Sequence, residues 1–345
     1  STYFRLVFAF PLQLTPREKT GFLGAHPRLD VRAVRRSGSP RHEEPLSTRT
    51  NSRMNHSAPS ASSAHSDTWD LVLRPHSGWF DLHLRELWGY RDLIALFVRR
   101  DFVAQYKQTI LGPLWFVLQP LLATIVFTIV FGNIAGLSTD GLPKMLFYLS
   151  GQVVWGYFSG SLNATATTFV SNAHIFGKVY FPRLTVPTSI VISQLFQFGL
   201  RLAFFVAFLI YFAARGADVH LTSSLLLLPL IVVIMAALAL GLGIIFSSMT
   251  TKYRDLRFLL TFGVQLLMYA TPAIYPLSSL EGSKYRLLIL ANPMTPIIEC
   301  FRHGFMGQGT YTAWHLLYSG GFAAAVLFLG LVMFTRIERT FMDTV

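Results

Sequence analysis

The sequence predicts an all-α integral membrane protein with six transmembrane helices, and three observations carry that prediction. Of 345 residues, 52% are hydrophobic and 13% charged, with a mean hydropathy of +0.46, which is too apolar and too charge-poor for an ordinary soluble domain. Six apolar runs, 111–131, 146–170, 184–213, 224–248, 258–277 and 315–334, reach the ~20 residues that a helix needs to cross ~30 Å of hydrocarbon. Lys and Arg are divided unevenly between the connecting segments, which sets an orientation.

Residues 1–68 precede this pattern and are read as a disordered extension. They are rich in Arg, Ser and Pro and lack sustained periodicity, so they cannot bury enough surface to offset their ordering entropy. The stretch 3–14 lacks a preceding basic region and is cut by Pro11, unlike a signal peptide. Met54 opens a more conventional start, so residues 1–53 read as upstream or appended sequence, and 69–345 as the transmembrane domain.

Within 80–102, Leu84, Leu87, Trp88, Ile94, Ala95 and Val98 recur near the helical period, with charged residues between them. This suits a helix lying in the cytoplasmic interface, with Trp88 and Tyr90 at headgroup level and arginines meeting anionic lipid. A soluble helix packed on a partner is the other reading. The first span then opens with Pro113 in its first turn, where no backbone donor is needed, and Gly132 and Asn133 close it.

The second run is the most dilute, carrying Ser150, Ser159, Ser161 and Asn163. After it, the segment 171–183 has a polar start, an apolar-aromatic middle and Pro182 as a stop, which suits about two turns of cytoplasmic helix. The third run holds Arg201, the single formal charge inside the six runs. It lies ~27 Å along a straight helix from Arg183, so it either snorkels to the outer surface or faces a pore. The stretch 287–306 is broken by Pro293, Pro296, Glu299 and Arg302 and is read as re-entrant or interfacial, since a lipid-exposed span would bury those charges at several kcal/mol.

With the N-terminus inside, thirteen Lys/Arg beyond position 53 fall in cytoplasmic segments and five outside, and an even number of spans returns the C-terminus to the cytoplasm. The net charge of +12 comes from residues 1–53 and from this bias, so no nucleic-acid partner is expected. Gly177-Lys178 is followed by Val179 and lacks the upstream glycine of a P-loop, and no zinc-protease or nucleophile-elbow pattern occurs. Cys300 is the only cysteine, which excludes an intramolecular disulfide and a cysteine-based metal cage. No catalytic residue, metal site or cofactor is expected in this chain, and one intramembrane charge is too little for a proton or sodium relay. An external energy source is the simpler expectation.

Five segments in order, YRDLIALFVRRDF at 90–102, YKQTILGPLW at 106–115, FGKVYFPR at 176–183, KYRDL at 252–256 and NPMTPIIE at 292–299, resemble the permease subunit of polysaccharide-exporting type-2 ABC transporters. The similarity runs from about residue 69 to the end. That family exports O-antigen and teichoic-acid polymers on undecaprenyl carriers. The resemblance implies a homodimeric channel in the inner membrane, docked on two copies of a separate ATP-binding subunit that would hold ATP and Mg. Its substrate would be lipid-linked polysaccharide, with a type-2 permease for a smaller lipid or drug as the alternative.

The resemblance also distributes roles. A coupling helix received by the ATPase would comprise Asn172, His174, Ile175, Phe176, Gly177, Lys178, Val179, Tyr180 and Phe181, with Phe176, Tyr180 and Phe181 as anchors; the same aromatics also suit the lipid interface. Trp88, Arg91, Arg99, Arg100 and Lys107 would form a cytoplasmic gate for the lipid's pyrophosphate, although topology alone also accounts for the charges. Trp115, Phe116, Tyr157 and Phe158 would line the channel wall, or face lipid. Asn292, Pro293, Thr295, Pro296, Glu299 and Arg302 would form a re-entrant exit gate, in which Glu299 and Arg302 can pair at i, i+3.

Overall fold

The computed structural model describes residues 84–107, 112–176, 181–250 and 253–341, so the expected extension 1–68 lies outside the described residues. Every regular element among them is helical. Four helical segments are long and apolar enough to cross a membrane: Trp115–Ile134, Thr185–Ala214, Ser223–Thr250 and Ala313–Thr335.

The chain begins with α1 (Leu84–Gly89) and α2 (Arg91–Tyr106), separated by a turn at Tyr90. The expected apolar stripe is displaced: Ala95 is exposed, whereas Phe97 is buried. Leu93, Ile94, Phe97 and Val98 make the inward face, a spacing set by 3.6 residues per turn. After a 3-10 turn at Gly112–Leu114, α3 (Trp115–Phe127) runs on through a π-helical turn, Thr128–Ile134. The span thus outlasts Gly132 and Asn133. Lys144 explains the stop, because its Nζ donates to the Gly132 carbonyl at 2.7 Å and to Asn133 Oδ1 at 2.9 Å, placing a cation at the negative end of the helix.

The second apolar run becomes α4 (Lys144–Ala166), the centre of the protein. Leu146, Phe147, Tyr148, Leu149, Val153 and Val154 are all essentially inaccessible, and α4 packs on α3 and on five later helices. Its hydroxyls and amide therefore need not face lipid. Two short helices, α5 (Thr168–Ser171) and α6 (Ala173–Phe176), follow around a turn at Asn172. Next come α7 (Thr185–Ala214) and, after the 3-10 turn Ser223–Leu227, α8 (Leu228–Thr250).

The fifth apolar run departs most from expectation. Helix α9 spans only Leu256–Tyr269, because Pro272 and Pro276 withhold backbone donors and block continuation. Residues 270–276 are irregular backbone rather than the last turns of a span. After the 3-10 turn Leu277–Leu280, α10 (Arg286–Leu290) and α11 (Met294–Met306) form the broken segment, and α12 (Ala313–Phe341) closes the bundle against α8.

Candidate functional site

Two buried clusters hold the α11 residues singled out from sequence, together with Phe176 and Phe181. The first is built on α11. Asn292 starts this helix: its Oδ1 accepts the Met294 N–H at 3.0 Å, while its Nδ2 donates to Thr271 Oγ1 at 2.8 Å. Pro293 and Pro296 sit around the first turn, where proline sacrifices no intrahelical bond. Thr295 Oγ1 donates to the Ile289 carbonyl at 2.6 Å, tying α11 to α10, and Ser319 Oγ donates to the Pro293 carbonyl at 2.8 Å, tying it to α12.

Glu299 and Arg302 are 2% and 1% exposed, a depth at which a charge must be paired. Arg302 Nη1 lies 3.4 Å from Glu299 Oε1, the i, i+3 pair the spacing allows. The remaining donors go to α4 and to the irregular stretch: Nε to Ser150 Oγ at 3.2 Å, Nη2 to the Ala273 carbonyl at 3.0 Å, and Nη1 to the Pro272 carbonyl. The guanidinium also stacks 3.8 Å from the centre of the Phe147 ring. Glu299 Oε2 accepts the Thr310 N–H at 2.9 Å. Gly151 makes this approach achievable, since a Cβ there would lie 2.6 Å from the Ala273 carbonyl oxygen.

Thus the carbonyls freed by the break after α9 are satisfied by an arginine, which is how irregular backbone survives away from water. Sequence reasoning missed Phe147, Ser150, Pro272 and Ala273 as members of this cluster. The Thr-Pro dipeptide inside an apolar run was the available signal for the last two. For Phe147 and Ser150 no local signal exists.

The second cluster joins the amino-terminal helices to the segment after α5. Phe97, Phe169, Phe176, Phe181, Val186, Ile244, Leu331 and Phe334 are buried together. Their rings form a continuous chain: Phe97 to Phe181 at 5.7 Å, Phe181 to Phe176 at 5.8 Å, Phe176 to Phe169 at 5.7 Å and Phe169 to Phe334 at 5.2 Å. Phe176 and Phe181, expected to project toward a partner, are instead 7% and 6% exposed and pack on their own chain, because the large rings gain most by filling the junction of α2, α8 and α12. Asn172 and Ile175 are half-buried, and the exposed positions here are Val170, Ser171 and Ala173. The side chain of His174 and residues Gly177, Lys178, Val179 and Tyr180 lie outside the described residues.

On α2, Arg91, Arg99 and Lys107 are exposed, as is Trp88 on α1. Arg100 differs from the expectation of an open phosphate ligand: its Nη2 and Nε bond Asp101 Oδ1 at 2.8 and 2.9 Å, and its guanidinium sits 4.7 Å over the Phe97 ring. A carboxylate one residue away outcompetes a distant anion for those donors. Of the four aromatics expected at a channel wall, Trp115 is 48% exposed and Phe116 half-buried, while Tyr157 and Phe158 are 0% and 1% exposed. The last two face into the core beside α7, with Tyr157 5.4 Å from Phe198, and offer no surface to a translocating polymer in this conformation. No group of His, Cys, Asp and Glu among the described residues could hold a metal ion.

Comparison with known proteins matches residues 92–306 to the ABC-2 type transporter family. An O-antigen export system permease protein of Klebsiella pneumoniae is 28% identical over 253 residues, covering 73% of this chain and 94% of the relative. Its counterpart in Myxococcus xanthus is 31% identical over 220 residues, covering 64% and 82%. A polysialic acid transport protein of Escherichia coli is 23% identical over 250 residues, covering 72% and 95%. The matched region runs from α2 to the end of α11 and takes in Phe97, Phe169, Phe176 and Phe181 of one cluster and Glu299 and Arg302 of the other, and the chain belongs to the ABC-2 type transporter family.

Proposed function

We propose that this chain is the channel-forming permease of an ABC transporter that exports lipid-linked polysaccharide across the inner membrane. The observation that carries the proposal is that relatives matched over 82–95% of their own length are named for polysaccharide export or transport. In this reading α4 and α9 complete a six-span topology with both termini in the cytoplasm. The polar α4 is tolerated because neighbouring helices wrap it, and the exposed apolar face of α9, with Phe258, Phe262 and Leu266, meets lipid or a second protomer. Two copies form the channel, and two copies of a separate ATPase, carrying ATP and Mg, drive it.

The aromatic chain suggests how energy enters. A push by the ATPase on the exposed positions around α5 and α6 would be passed by Phe176 and Phe181 to Phe97, hence to α2, and by Phe169 to α12. Close-packed rings transmit displacement because they have no free volume to absorb it. Arg91, Arg99 and Lys107 of α2 would meet the phosphate of the lipid carrier, and Trp115 and Phe116 are the wall aromatics still open to a sugar face. The element around α11 would close the outer end.

Deletion of the gene, with fractionation of lipid-linked glycan, tests the proposal. The expected result is accumulation inside the cell and loss from the surface, restored by the wild-type chain. Unchanged surface glycan would sink the export reading.

A further inference from the structure

Helix α7 carries a second arginine inside the bundle, Arg201, for which no described residue supplies a counter-charge. Arg201 is half-buried, and its Nε and Nη1 atoms are shielded from solvent with no hydrogen-bond partner among the described residues. Helices α3, α4, α7 and α8 contain no Asp or Glu. The guanidinium does not reach for either end of the bundle. It lies over Gly156 of α4, where a Cβ would stand 2.5 Å from Nη1 and 3.2 Å from Cζ. Gly156 falls twelve residues after Lys144 and ten before Ala166, ~18 and ~15 Å along the helix. The charge therefore sits near the middle of α4, which in the six-span reading is the middle of the membrane, and of the two sequence readings of Arg201, snorkelling to the outer surface is the one this placement disfavours.

The surroundings are equally unlike a lipid-facing surface. From Gln152 to the end of α4 the half-exposed positions are Gln152, Gly156, Ser159, Gly160, Asn163 and Ala164, on one face at helical spacing and without a large apolar side chain among them. Asn163 Oδ1 is buried and unpartnered. Gln194 of α7 brings its Oε1 over Gly160, 3.1 Å from where a Cβ would be. The result is a hydrophilic furrow between α4 and α7 with a cation at its midpoint.

An ionised arginine in hydrocarbon costs several kcal/mol unless an anion or water meets it, and guanidinium geometry favours an oxyanion bound by two parallel donors. We infer that Arg201 is a mid-membrane binding site for a phosphate-class oxyanion carried by the transported molecule, with the α4 furrow solvating the polar groups that accompany it. The inference rests on the reading of the chain as an exporter of a phosphate-bearing lipid-linked molecule. It adds a specific station halfway along the path, where the sequence points only to charges at the cytoplasmic rim.

The test uses the full chain with its ATPase partner in phosphatidylcholine nanodiscs, probed with undecaprenyl pyrophosphate and with undecaprenol, which has the same tail and no phosphate. Wild type should bind the pyrophosphate preferentially, and Arg201→Gln should weaken that preference by about tenfold or more, the scale of a lost charge-assisted hydrogen bond. Arg201→Lys should retain part of it. Gly156→Ala keeps the charge and displaces it, so it should lower the preference as well, which separates the site from a general effect of charge on folding. Equal preference in wild type and Arg201→Gln overturns the inference. If phosphatidylglycerol removes the Arg201-dependent signal as effectively as the pyrophosphate probe does, the bound group is a bilayer phosphate and the assignment to cargo is overturned. In deletion cells, surface glycan restored equally by wild type and Arg201→Gln rejects the station alone, whereas failure of wild type to restore it rejects the export reading.

Discussion

The buried Arg302 and the half-buried Arg201 lie in the same bundle, and the protein treats them in opposite ways. Arg302 is surrounded by a carboxylate, two backbone carbonyls, a hydroxyl and an aromatic face, all supplied by the chain itself. Arg201 has a glycine beneath it and unpartnered nitrogens. The first arrangement pins separate pieces of backbone together. The second keeps donors in reserve, and the difference separates a charge that holds the fold from one that serves a ligand. Family resemblance alone marks Arg302 as part of a gate, and its partners Ser150 and Phe147 hold α11 firmly to α4.

The largest effect should come from removing the satisfied arginine. Arg302→Met leaves Glu299 buried without a cation and frees the Pro272 and Ala273 carbonyls, so a loss of about 3–5 kcal/mol is expected. It should be visible as a collapse in folded yield and in the thermal midpoint of the purified protein. Replacing both members, Glu299→Leu with Arg302→Met, should recover part of that loss, because the desolvated charge is then gone. A single Arg302→Met variant as stable as wild type would dissolve the comparison.

Arg201→Met should move stability the other way. Removing an unpaired, half-buried cation relieves a desolvation cost, so stability should hold or rise, by about 1–3 kcal/mol at most, read as a thermal midpoint that does not fall, while export falls. Loss of stability on the scale of Arg302→Met would mean that Arg201 is also a packing residue. Gly151→Ala is smaller in volume but directed at the first site: its Cβ would meet the Ala273 carbonyl oxygen at 2.6 Å, so a loss of about 1–3 kcal/mol from overpacking is expected. The same substitution at Gly156 meets a flexible side chain and should cost less.

How much of this was readable beforehand depends on the range of the forces involved. Helix type and position follow from composition over windows of twenty residues, and four of the six runs appear as helices long and apolar enough to cross. The break after Tyr269 was written locally in Pro272 but was outweighed by the apolar average around it. Enclosure of α4 was not readable, since Ser150 and Asn163 look the same whether neighbours or lipid surround them. The partners of Arg302 were least accessible: Ser150 is 152 positions away and Ala273 29, and no periodicity links them. Phe176 and Phe181 stood out as aromatics in a short loop, but only the packed structure shows that they face Phe97 and Phe169.

The finest test uses the single hydrogen bond from Arg302 Nε to Ser150 Oγ, 3.2 Å long and buried. Ser150→Ala removes one acceptor and adds no charge, so it should cost about 1 kcal/mol, read as a small downward shift in the thermal midpoint. The Ser150 hydroxyl also donates to the Phe147 carbonyl within α4, so the single substitution does not isolate its bond to Arg302. Repeating it in an Arg302→Met background isolates that term: the cost should shrink there, and the difference measures the coupling. In an Arg201→Met background the cost should be undiminished, because Ser150 and Arg201 share no partner. Coupling of Ser150 to Arg302 but not to Arg201 is what two independent cations require, and coupling to both would join the Arg302 cluster and the surroundings of Arg201 into one network.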